Sequence, residues 1–107
     1  TLPLTITEWE EWGDPREEPF ASYMLSYSPY DLDSSAIKTA TYVTAGLNDP
    51  RVSYHEPAKW VAKMRHESPE RIVLFKCEMG AGHGGPSGRY EQWLDEAKTL
   101  VFALQCM

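Results

Sequence analysis

Arg71-Ile72-Val73-Leu74-Phe75-Lys76-Cys77-Glu78-Met79, followed at once by Gly80-Ala81-Gly82-His83-Gly84-Gly85, is the stretch that decides the fold. Ile72 to Phe75 is apolar without a break and rich in β-branched and aromatic side chains, so Arg71 to Met79 reads as a strand of a sheet covered on both faces. Gly80 to Gly88 then forms a glycine-rich turn. From Arg89 to about Gln105, the residues Tyr90, Trp93, Leu94, Ala97, Leu100, Val101 and Leu104 recur at helical spacing and predict an amphipathic helix.

Working back toward the N-terminus, the same unit occurs once more. Ala36 to Thr44 reads as a strand through Ile37, Thr39, Thr41, Tyr42 and Val43, and Gly46-Leu47-Asn48-Asp49-Pro50 ends it sharply. A helix is expected from Pro57 to about His66, with proline tolerated in the first turn and Trp60, Val61 and Met64 facing inward. Strand–helix–strand–helix implies a parallel pair joined by a right-handed crossover, and hence the α/β class. A two-stranded sheet is too small to stand alone, so further strands are expected from chain outside these residues or from a partner.

The first third is less regular. Leu2, Leu4 and Ile6 alternate and suggest an extended segment over Thr1 to Thr7. Glu8-Trp9-Glu10-Glu11-Trp12-Gly13-Asp14-Pro15 turns, because glycine and proline interrupt regular structure. A short helix over Pro19 to about Ser26 would place Phe20, Tyr23, Met24 and Tyr27 on one face, and Ser28-Pro29 stops it. Asp31 to Ser35 reads as a loop.

The chain has 107 residues, 42% apolar and 24% charged, which suits one domain or part of one. No apolar run approaches the roughly 20 residues of a membrane-spanning helix, so no membrane association is expected. Thr1 opens no signal-like segment, and the absence of an initiating Met suggests a fragment or a processed chain. Cys77 and Cys106 fall inside expected regular elements and read as core residues; two unpatterned cysteines make a reducing cytoplasm the default location. The net charge is −6, and between Glu8 and Glu18 six acids (Glu8, Glu10, Glu11, Asp14, Glu17, Glu18) face one base, Arg16. Such a segment repels nucleic acid; it is either a solvated acidic loop or a surface for a cationic ligand.

Asp49 and His83 both fall just past the carboxyl ends of strands expected to be parallel, where open α/β sheets place active sites. An acid after one strand and a histidine after the next is the order of the last two triad members in α/β-hydrolases. There the carboxylate orients the imidazole, and the imidazole moves a proton between nucleophile and leaving group. The same residues could equally be solvated turn groups. No serine in the chain has the Gly-x-Ser-x-Gly elbow: Ser87 in Gly85-Pro86-Ser87-Gly88-Arg89 lacks it and follows the histidine instead of preceding the acid. Gly80 to Gly85 matches G-x-G-x-x-G, but no further strand with a terminal acid follows, so no dinucleotide cofactor is expected. His55-Glu56 and His66-Glu67 lack the second histidine of a zinc helix, and no metal is expected.

Five stretches carry a wider likeness: Glu8 to Pro15, Tyr23 to Asp31, Thr44 to Asp49, Glu56 to Lys63, and Gly82 to Gly85. Together they resemble the oligopeptidase B branch of the prolyl oligopeptidase family of serine peptidases. The resemblance implies the C-terminal segment of an α/β-hydrolase fold, the last strands and helices of a mainly parallel, doubly covered sheet. It also implies that the catalytic serine and a β-propeller domain lie upstream, outside this chain. Asp49 and His83 match the triad acid and base, and Glu8 and Glu10 match two carboxylates that hold an Arg or Lys before the scissile bond. Arg51 matches an arginine that binds a substrate carbonyl in relatives. The implied activity is endopeptidase cleavage of short basic peptides, with no cofactor; the chain alone, lacking a nucleophile, should be inactive. A family peptidase of different specificity and a non-catalytic acidic binding module are the alternatives.

Overall fold

The computed structural model describes residues 3–107, with side chains from residue 5 onward. The chain divides into two compact units, residues 1–34 and residues 35–107.

The first unit is helical. It contains α1 (Pro3–Thr7), the single turn α2 (Trp9–Trp12) and α3 (Phe20–Leu25). The extended segment expected over the first seven residues is therefore a helix from Pro3 on, while Leu2 lies outside the described residues. Three alternating apolar residues fit a turn of helix nearly as well as a strand. An isolated strand would leave its polar backbone groups unpaired, whereas a helix pairs its own. Gly13 ends α2 at a φ of 92°, a left-handed conformation that glycine adopts without penalty. The Phe20 ring packs so closely on Gly13 that a Cβ there would collide with it.

The second unit is a small three-layer sandwich. Its strands β1 (Thr41–Gly46) and β2 (Val73–Glu78) pair in parallel, with Thr41 opposite Val73 and Gly46 opposite Glu78. Between them runs α4 (His55–Glu67), and α5 (Arg89–Gln105) closes the chain at the boundaries its periodicity predicts. Side chains alternate across the sheet. Val43, Val73 and Phe75 point to α4, where they pack with Trp60, Val61 and Met64; Met64 is fully buried. Tyr42 and Lys76 point the other way, to Phe102 and Asp95 of α5.

β1 starts later than its side chains suggest. Ala36 to Ala40 lies outside the ladder, which begins with Thr41 opposite Val73. The Thr39 carbonyl instead accepts Arg71 Nε at 2.8 Å, and Arg71 Nη2 reaches Thr41 Oγ1 at 2.6 Å. The expected two-sided cover of β2 holds on the α4 face alone. On the α5 face Leu74 is 47% exposed, and Leu94 and Val101 of the helix are more than half exposed. Tyr42, Leu74, Leu94, Ala97, Val101 and Phe102 line an open apolar hollow of about 440 Å³. The apolar stripe predicted on α5 is thus exposed, and the helix's half-buried apolar contact is Phe102, which the stripe omits. Cys106 is also not a core residue: it caps α5 from an exposed position, while Cys77 is half-buried in β2.

Candidate active site

β1 and β2 end side by side, and the loops leaving them are fastened to each other through the backbone. Leu47 N–H donates to the Glu78 carbonyl at 2.9 Å, and Asn48 N–H to the Ala81 carbonyl at 3.1 Å. The chains come this close because position 46 has no side chain. A Cβ on Gly46 would stand 2.5 Å from the Gly82 oxygen and 2.8 Å from the Ala81 oxygen. The turn carrying His83 is itself tied by the Gly85 N–H to the Gly82 carbonyl at 3.1 Å, with Gly85 at a φ of 75°.

This fastening brings Asp49 and His83 together across thirty-four residues, with His83 Nδ1 at 2.8 Å from Asp49 Oδ2. The Asp49 side chain is 8% exposed and that of His83 is 50% exposed. The other carboxylate oxygen, Oδ1, accepts the backbone N–H groups of Arg51 at 2.8 Å and Val52 at 3.0 Å. Burial by itself would raise the Asp49 carboxyl. The Val52 N–H, the His83 ring and the Arg51 N–H outweigh it and hold the group below the ordinary carboxylate value. A fixed, charged, mostly buried carboxylate therefore grips Nδ1 of a half-exposed imidazole. That places the proton of a neutral ring on Nδ1 and leaves Nε2 as the basic nitrogen.

Beside His83 lies a hollow of about 240 Å³ lined by Thr44, Gly46, Lys76, Glu78, Gly82 and Asp95 among others. Lys76 pairs with Asp95 and, at 3.2 Å, with Glu78. The Asp95 hydrogen bond, against desolvation, raises the Lys76 ammonium above its ordinary range. This pair joins β2 to α5 and so braces both ends of the His83 turn. The one sequence signal for it is a lysine interrupting an otherwise apolar run.

Arg51 is exposed and contributes its backbone N–H to Asp49. Glu8 and Glu10 belong to the first unit, at the start of α2, where the Glu8 carbonyl accepts the Trp12 N–H at 2.9 Å. Among the described residues neither carboxylate forms an ion pair. His55 pairs with its neighbour Glu56 at 3.0 Å, and among the described residues no group of three histidine, cysteine or acidic side chains comes together. Ser87 lies exposed in the turn before α5.

Several known proteins are similar to this chain. Protease 2 of Moraxella lacunata is 47% identical over 105 residues, covering 97% of this chain and 15% of its own length. Dipeptidyl aminopeptidase BI of Pseudoxanthomonas mexicana is 44% identical over 97% of the chain and 14% of its length. Oligopeptidase B from Leishmania major superposes with a TM-score of 0.83 at 41% identity, over 96% of this chain and 14% of that one. Oligopeptidase B from Trypanosoma brucei, with covalently bound antipain, superposes equally well over 98% of this chain. The chain thus spans about one-seventh of the length of these relatives, and its sheet and helices are those of an α/β-hydrolase fold. The family model of prolyl oligopeptidases matches residues 1–107 from end to end, and the chain belongs to that family of peptidases.

Proposed function

We propose that this chain supplies the general base and its orienting acid to a serine endopeptidase that cuts short peptides after Arg or Lys. It works within a longer polypeptide, whose other parts provide the nucleophilic serine and a β-propeller domain. The observation that carries this reading is the 2.8 Å bond between Asp49 Oδ2 and His83 Nδ1, with Asp49 locked by two backbone N–H groups.

In this reaction His83 Nε2 takes the hydroxyl proton of the serine as its oxygen attacks the scissile carbonyl. It then passes that proton to the departing amine, and the acyl-enzyme is released by water through the same two transfers in reverse roles. Asp49 stays ionised throughout and stabilises the imidazolium. Glu8 and Glu10 hold the basic side chain before the cut bond, since a guanidinium pairs with carboxylates in fork geometry that a neutral side chain cannot match. Arg51 faces a substrate carbonyl. The free thiols of Cys77 and Cys106 fit a reducing compartment, which supports the cytoplasm as the place of action.

The aminopeptidase among the relatives favours a second reading, a family peptidase of different specificity. Glu8→Ala combined with Glu10→Ala in the intact enzyme separates the two. We expect the preference for Arg over an uncharged residue to fall by about 10²-fold in kcat/KM. Preference unchanged from wild type would sink the assignment of Glu8 and Glu10.

A further inference from the structure

Arg16 is the one cation among the six carboxylates from Glu8 to Glu18. A guanidinium tethered beside an acidic wall is a built-in rival for any basic side chain the wall binds, because a linked group competes at high effective concentration. The structure shows what occupies it. Arg16 Nε lies 2.9 Å from Asp14 Oδ1 and 3.1 Å from Oδ2, and Nη2 lies 2.6 Å from Oδ2. The Arg16 backbone N–H adds a fourth bond to Oδ1 at 3.0 Å. The guanidinium carbon sits 4.2 Å from the centre of the Trp9 ring, the residue between Glu8 and Glu10. Trp9 in turn lines, with Glu8, Trp12, Gly13 and Met24, a hollow of about 240 Å³. The indole Nε1 of Trp9 is buried and has no hydrogen-bond partner among the described residues, so packing and the cation above its face hold the ring.

We propose that Asp14 is a specificity-positioning residue: it clamps Arg16 on the Trp9 face and thereby keeps the chain's own guanidinium off Glu8 and Glu10. The proposal rests on the reading of those two carboxylates as the wall that binds a basic substrate side chain. Asp14 is suited to the task because its side chain is 15% exposed against 67% for Arg16, so the anchor is fixed and the cation is the part that can swing. The Arg16 hydrogen bonds hold the Asp14 carboxyl below its ordinary range, and at neutral pH the carboxylate is charged, as the clamp requires.

The test uses the intact peptidase and two peptides that differ in Arg or its uncharged isostere citrulline before the cut bond. Asp14→Asn is expected to raise KM for the Arg peptide about tenfold while kcat stays within about twofold, and to leave the citrulline peptide unaffected. Adding Arg16→Gln removes the freed rival and returns KM to the wild-type value. Arg16→Gln alone, which needs no open clamp, keeps KM at or below wild type. An unchanged KM in Asp14→Asn, a raised KM that persists in the double variant, or a raised KM in Arg16→Gln alone each overturns the proposal. Those results are read beside Glu8→Ala/Glu10→Ala. If that variant loses its Arg preference while Asp14→Asn does nothing, the clamp alone fails; if it keeps the preference, the wall itself fails and the clamp with it.

Discussion

The two regions that carry candidate chemistry are held together in opposite ways. The Asp49–His83 pair spans thirty-four residues and is fastened by backbone bonds between the ends of two parallel strands. The acidic segment is fastened by neighbours: Arg16 to Asp14 across two residues, and Ser22 to Glu18 across four. Proton transfer demands geometry good to a fraction of an ångström, and strand ends backed by a packed core provide it. Recognition of a long, flexible cation, the role proposed for the acidic segment, demands less, and a turn of helix held by local bonds would suffice. Each region depends on one close-packed glycine, and the neighbours of the two differ in kind. Gly46 abuts backbone oxygens, which cannot move without opening the strand ends, whereas Gly13 abuts the Phe20 ring.

That contrast can be broken deliberately. Asp49→Asn in the intact peptidase removes the charge that selects the ring tautomer, and kcat should fall by about 10⁴-fold with KM little changed. An equal rise in KM would mean that Asp49 serves binding instead. Gly46→Ala forces the two loops apart and shifts His83, so a loss of about 10² in kcat is expected. A variant with wild-type kcat would show that the backbone fastening does not set the geometry of the pair. Gly13→Ala is strained at its positive φ and pushes on Phe20. It should raise KM for basic peptides by about threefold, with kcat unchanged, because the disturbance stays in the acidic unit.

The smallest expected effect is on acid stability. Because the folded-state carboxyl of Asp49 lies below its unfolded value, its bonds contribute fully above that unfolded value, and the contribution is lost as pH falls through the lower folded one. Between about pH 5 and about pH 3, the urea midpoint of wild type should therefore drop further than that of Asp49→Asn. Parallel curves would deny Asp49 any net stabilising tie.

Much of the second unit can be read from periodicity. The apolar spacing of α5 marks its ends at Arg89 and Gln105, and the inward face of α4 is Trp60, Val61 and Met64 as spaced. These features are local, so the residues themselves contain them. What periodicity misses depends on partners distant in sequence. Ala36 to Ala40 has strand-like side chains and no strand to pair with. The stripe of α5 is apolar on a helix that two strands cannot cover, and Lys76 gains its meaning only when Asp95 of α5 stands over it. Asp49 and His83 were legible as strand-end residues, since a parallel crossover puts such ends on one edge. The bond between them, and the need for Gly46 to permit it, required the structure. Glu8 and Glu10 differ again: nothing in their spacing separates them from Glu11 or Glu17, and only the family resemblance singles them out.

In the proposed reaction His83 is the base and Asp49 orients it. The direct measurement is hydrolysis of an Arg-containing peptide amide by the intact peptidase carrying His83→Ala, with folding checked by circular dichroism. A fall in kcat/KM of about 10⁴-fold or more is the predicted result. A folded variant that retains activity within about tenfold of wild type would contradict it.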